Sequence, residues 1–271
     1  MKTHGHQQVF SSATARLCTS LLLLLSLVAC AEQDPYRRLE PGLATNLSTA
    51  QLVDAFNARW PQQFKCVQTV TLDFGPVTRT FNALLIVQRP GKFRLQGMAE
   101  QGLKLFELAH DEAGDHVIFK GDDISTKVIE GISRDIRRVF LDPFAGVAVS
   151  TQDDQYYYLE GNTSRLTMRA AMVGEILGPR DITTRAMLAR DAHASWPDCA
   201  EALDSEGVKY RFRQYNWVTT EASGADLAFY PSVIVLRDSG RESGGPPYKL
   251  TIKINELTLR GSPWPEKTFK P

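Results

Sequence analysis

A chain of 271 residues, 43% hydrophobic and 23% charged, has an ordinary globular composition and enough length to bury one sizeable core. Its 31 basic and 31 acidic side chains cancel, so it lacks the basic footprint of a nucleic-acid-binding protein. After residue 30 no apolar run approaches the roughly 20 residues that a membrane-crossing helix needs.

Residues 21–30 read LLLLLSLVAC, with Lys2 and Arg16 ahead of them and no acid before Glu32. A positive lead, a short apolar core and a small residue before a cut make a secretory signal. The closing Leu27-Val28-Ala29-Cys30 resembles a bacterial lipobox, where cleavage precedes a lipid-modified cysteine. The expected organisation is a signal peptide over 1–29, then an acylated, palmitate-bearing Cys30 that begins a polar tether over 30–47. A single domain over 48–271 follows. Ala31 rather than aspartate after the anchor favours the outer membrane, with the body facing the periplasm. Cys18 leaves with the signal, so Cys66 and Cys199 remain in an oxidising compartment and are expected to pair. Two buried thiols are the alternative.

The domain opens with a capping box, Ser48-Thr49-Ala50-Gln51, followed by Leu52, Phe56 and Trp60 on one face of a helix that Pro61 ends. The apolar period then changes to two. Strands are predicted over 64–74, 78–88, 92–97, 102–110 and 116–120, separated by Gly and Pro turns, with Lys127-Val128-Ile129 continuing the sheet. Ile132, Ile136, Val139 and Phe140 then mark a second helix, with Arg134, Arg137 and Arg138 on a face read as solvated. Two short strands flank Gly161-Asn162. Residues 172–206 lack a clear period and read as an irregular insertion or lid. Strands return at 208–213, 230–236 and 248–255. In the last of these Tyr248, Leu250, Ile252 and Ile254 alternate with polar residues, and an irregular tail follows.

The closing pattern from Tyr230-Pro231 to Leu257, with the blocks 85–88, 93–97 and 102–108, resembles lipoproteins of the LolA/LolB superfamily, over about 48–171 and 206–260. That resemblance implies an α+β fold, mainly antiparallel: a curved, incompletely closed β-barrel, or half-barrel, with helices covering its open face. It also implies a LolB-like, lipid-binding role in the cell envelope. In a half-barrel, alternate side chains share one interior, and a partly filled interior leaves an apolar pocket. Candidate lining residues are Leu85, Val87, Phe93, Leu95, Leu105, Leu250, Ile252 and Ile254 from strands, and Ile136 and Phe140 from the helix. Solid core is the competing reading at each position.

Catalytic signatures are missing from the sequence. His110, His116 and His193 have no metal-ligand spacing, and there is no GxSxG, SxxK or Walker loop. Asp122-Asp123 and Asp153-Asp154 are neighbours that point to opposite sides of an extended chain. No cofactor, metal or catalytic residue is expected. The favoured expectation is a non-enzymatic carrier or acceptor for a lipid or for lipoprotein acyl chains. The alternative is a structural, interaction or sensor lipoprotein with a filled core and an envelope protein partner.

Overall fold

The computed structural model describes residues 35–36, 61–141, 149–152, 156–160, 164–171, 194–204, 207–221, 227–241 and 245–271. The chain divides into two units, 1–36 and 37–271, and the fold described here is that of the second. Cys30, the 30–47 tether and the helix expected from Ser48 lie outside the described residues.

Among the described residues, twelve strands form one antiparallel sheet. They are β1 (Gln63–Asp73), β2 (Thr78–Gln88), β3 (Lys92–Met98), β4 (Lys104–Asp111), β5 (Gly114–Lys120), β6 (Val149–Gln152), β7 (Tyr156–Glu160), β8 (Ser164–Ala171), β9 (Ala194–Asp204), β10 (Gly207–Glu221), β11 (Leu227–Asp238) and β12 (Tyr248–Leu259). Their order is β5-β4-β3-β2-β1-β12-β11-β10-β9-β8-β7-β6. Two meanders are joined by the β1–β12 pair, and the sheet ends at β5 and β6 without closing.

The two-residue period places the core. β1 alternates half-buried and buried along its whole length, and β2 and β3 repeat the pattern. Register turns these alternations into layers: Leu257 pairs with Cys66, Cys66 with Leu85, Leu85 with Leu95, and Leu95 with Leu108. One apolar row therefore crosses five strands. A second row runs Leu236–Leu250–Leu72. In β12 the alternation slips after Ile254, because a bulge opposite Val67/Gln68 leaves Asn255 unpaired and brings Leu257 inward.

Among the described residues one α-helix is present, α1 (Thr126–Ile136). Lys127-Val128-Ile129, expected to extend the sheet, is instead its first turn. Ser125 makes the difference: its side chain accepts from the Val128 N–H at 3.3 Å and caps the start. Ile129, Ile132, Ser133, Asp135 and Ile136 form the buried stripe. A π-type turn over Arg137–Leu141 continues it with Val139, Phe140 and Leu141. The isoleucines of α1 belong to the same core cluster as the strand residues, and the Phe140 ring lies 6.1 Å from that of Phe64.

Two further expectations are corrected. Residues 194–204, placed in the irregular insertion, are strand β9 between β8 and β10. The remainder of that insertion, 172–193, lies outside the described residues. The tail is a short 3-10 turn, Glu266–Phe269, that buries Phe269. It is held by Arg94 Nη1 donating to Thr268 O at 2.9 Å and by Trp264 Nε1 donating to Val87 O at 3.2 Å.

Candidate functional site: a pocket between helix and sheet

Nine of the ten candidate lining residues are buried: Leu85, Val87, Phe93, Leu95, Ile136, Phe140, Leu250, Ile252 and Ile254. Leu105 is partly buried against the same cluster. They pack on one another. Among the described residues, a pocket of about 320 Å³ lies beside them, and its lining includes none of the ten. Its walls are Leu72 at the end of β1 with Phe74 beyond it, Tyr248 at the start of β12, Gly245-Pro246 before it, and Lys127, Val128, Gly131, Ile132, Arg134 and Asp135 on α1. Leu72 and Ile132 also belong to the core cluster, so the back of the pocket is continuous with the core.

Local sequence fixes each wall. β1 ends where Asp73 Oδ1 accepts from Gly75 N at 2.9 Å, which leaves Phe74 over Tyr248 with ring centroids 5.8 Å apart. Gly131 opens the helix surface, because a Cβ placed there would meet only Arg134 Nη2, at 3.7 Å. The Gly245-Pro246 wall is tied to the end of β11, where Gly245 N donates to Gly240 O at 3.1 Å. Gly240 has φ +77°, and a Cβ there would lie 2.1 Å from Gly245 O, so only glycine fits.

The floor is polar and connected. Tyr248 Oη donates to Asp135 Oδ2 at 2.5 Å, and Arg134 Nη2 donates to Tyr248 Oη at 3.4 Å. Arg138 Nη1 donates to Asp135 Oδ1 at 3.2 Å and to Asp238 Oδ2 at 3.0 Å, while its guanidinium stacks 3.8 Å from the Tyr210 ring centroid. Asp238 Oδ1 also accepts from Gly240 N at 2.7 Å. Asp238 and Tyr248 pair across β11 and β12, so the network pins α1 to the base of that hairpin. The arginine face read as solvated is thus partly an interior face: the Arg138 side chain is 10% exposed and that of Arg134 19%, against 43% for Arg137.

Burial sets the ionisation of this floor. Desolvation pushes the Asp135 carboxyl up to about 6, against the pull of Tyr248, Arg138 and Arg134. The Tyr248 hydroxyl is raised by burial and by the Asp135 charge. For Arg134, burial acts to lower the value, but Tyr248, Asp135 and Asp238 outweigh it and the net shift is upward.

The sequence reading missed Asp135, Arg134, Arg138, Asp238 and Tyr248 as a unit. One signal was available: Asp135 sits between Ile132 and Ile136 on the apolar stripe, and an acid facing a core needs a partner. The expected Cys66–Cys199 bridge is also corrected. Cys66 is a free, buried thiol, 3.8 Å from Gln68 Oε1, and burial raises its pKa. Its strand and that of Cys199 are separated in the sheet by β12, β11 and β10. That is four steps of about 4.8 Å, whereas a disulfide needs Cα atoms within about 7 Å. His110 Nδ1 lies 2.6 Å from Asp115 Oδ1 and His116 Nε2 lies 2.9 Å from Asp111 Oδ1, and among the described residues no group of three or more His, Cys, Asp or Glu side chains is placed to hold a metal ion.

No family model matches the chain, and no curated protein does. Solved structures do. A LolA superfamily protein from Nitrosomonas europaea is similar at 10% identity over 83% of this chain and 99% of that one, with TM-score 0.49. A domain named for outer-membrane lipoprotein sorting, from Vibrio parahaemolyticus, is similar at 9% identity over 81% and 94%, with TM-score 0.41. A DUF1329 family protein from Desulfovibrio piger is similar at 9% identity over 81% and 96%, with TM-score 0.40.

Proposed function

We propose that this chain is a lipid-anchored envelope protein that binds a hydrophobic ligand without catalysis, as a carrier or acceptor for a lipid or for lipoprotein acyl chains. Cys30 is its acylated anchor on the outer membrane, with the body facing the periplasm. The observation that carries this reading is the pocket between α1 and the ends of β1 and β12. It is apolar on Leu72, Phe74, Val128, Ile132 and Pro246 and continuous with the core behind. Concave, mostly apolar sites with a few placed polar groups are the usual form of a small-molecule site. Leu103, 69% exposed on the β3–β4 turn, gives the same unit an apolar tip suited to a membrane surface.

A second reading, an interaction or sensor lipoprotein, is favoured by the filled sheet interior, where nine of the proposed lining residues are buried. Native mass spectrometry with lipid extraction, on the chain purified from bacterial envelopes, separates the two. A co-purifying lipid or acylated peptide, lost in a Gly131→Leu variant that fills the pocket, is the expected result. An apo mass together with no uptake of fluorescent fatty acids would replace the carrier with the interaction protein.

A further inference from the structure

The polar groups of the pocket are unevenly signed. Two cations line it: Lys127, exposed at the rim in the first turn of α1, and Arg134, deeper in. That first turn holds no acid, and the exposed Asp122 and Asp123 ahead of the cap are not part of the lining. The one acid in the lining, Asp135, is committed: it takes the Tyr248 hydroxyl on one oxygen and Arg138 on the other. Arg134 has capacity to spare. Its Nη2 donates to Tyr248 Oη and lies 3.9 Å from Asp238 Oδ2, while among the described residues its Nε is buried without a hydrogen bond, 3.8 Å from Asp135 Oδ1. A donor left like this costs free energy until an acceptor arrives.

We propose that the occupant is a single-chain amphiphile with an anionic head, its chain along Leu72, Phe74, Val128 and Ile132 and its head held by Lys127 and Arg134. The proposal rests on the hydrophobic-ligand reading above and specifies its chemistry. Size argues for one chain: about 320 Å³ is at the lower end of small-molecule pockets, where a diacyl lipid would not be enclosed. Charge argues for the head: a carboxylate or phosphate entering between Lys127 and Arg134 meets two donors and no uncommitted acid. A guanidinium suits either anion, forming charge-assisted bonds stronger than neutral ones.

The test is photoaffinity labelling of the full chain reconstituted in phosphatidylcholine vesicles. The probes are diazirine-bearing dodecanoic acid, dodecyl phosphate and dodecanol, with labelled peptides mapped by mass spectrometry. Labelling of α1 or of the Pro246 segment by an anionic probe, well above that by the alcohol, is expected. It should fall to background in Gly131→Leu and by several-fold in Lys127→Glu, with both variants keeping wild-type circular dichroism and melting. The stronger of the two anionic probes identifies a fatty-acid or a phosphorylated source. Equal labelling by the alcohol, with Lys127→Glu unchanged, overturns the anionic head and leaves the hydrophobic-ligand reading standing. No labelling of these segments by any probe overturns both.

Discussion

At the scale of single residues, two buried polar side chains govern what can be measured. Asp135 holds its proton to about pH 6 when folded, against an ordinary value of 3.8. Between those values the folded state binds more protons than the unfolded one, so this group's contribution to stability falls as pH rises from about 4 to 6 and is level above about 7. The loss is of order 1–3 kcal/mol. Asp135→Asn mimics the protonated acid and keeps an acceptor for Tyr248. Urea midpoints at pH 4, 5, 6 and 7 should therefore show the wild type declining relative to the variant. A constant difference between the two would mean that Asp135 is not the titrating group. Gln214 is the opposite case: it is 2% exposed, and neither its Nε2 nor its Oε1 finds a partner among the described residues. Gln214→Met removes two unsatisfied atoms at similar volume and should raise stability by about 1–2 kcal/mol. A lower urea midpoint in the variant would show that the amide is satisfied.

At the scale of elements, the strands β1 to β5 were legible to within two residues, whereas β10, β11 and β12 run longer than their periodic stretches indicated. The second strand was predicted at its observed bounds, 78–88, because strict alternation specifies register and Gly or Pro turns mark both ends. The start of α1 was not legible, since Lys127-Val128-Ile129 suits a strand as well as a helix. What decided it was Ser125, whose cap satisfies one of the free N–H groups of the first turn. One glycine shows how closely two strands can be matched. Gly97 pairs with Phe106, whose ring would lie 2.3 Å from an added Cβ. Gly97→Ala must displace a ring that itself packs edge-on to Phe81 at 5.5 Å, and should cost about 1–3 kcal/mol. An unchanged melting temperature would show that the ring turns away freely.

At the scale of the whole molecule, a sequence-distant pairing, β1 on β12, joins two antiparallel meanders into one sheet whose edges are β5 and β6. Edge strand β5 exposes Val117 and Phe119, and Lys104 lies 5.8 Å from the Phe119 ring centroid. A charged residue beside an exposed edge is a common guard against edge-to-edge pairing. By itself the sequence determined the secretory pattern at 21–30, the two-residue period of most strands and the absence of any familiar catalytic motif. These are legible because periodicity and local chemistry act over a few residues. Only the tertiary structure decided that the ten candidate lining residues pack together while the pocket opens at Leu72, Gly131 and Tyr248. It alone set Cys66 and Cys199 on strands four places apart, and turned Arg134 and Arg138 inward to Asp135, Asp238 and Tyr248. Such facts depend on which strands become neighbours. An apolar residue reads the same in a sequence whether it fills a core or faces a ligand, and an arginine the same whether water or a distant carboxylate receives it.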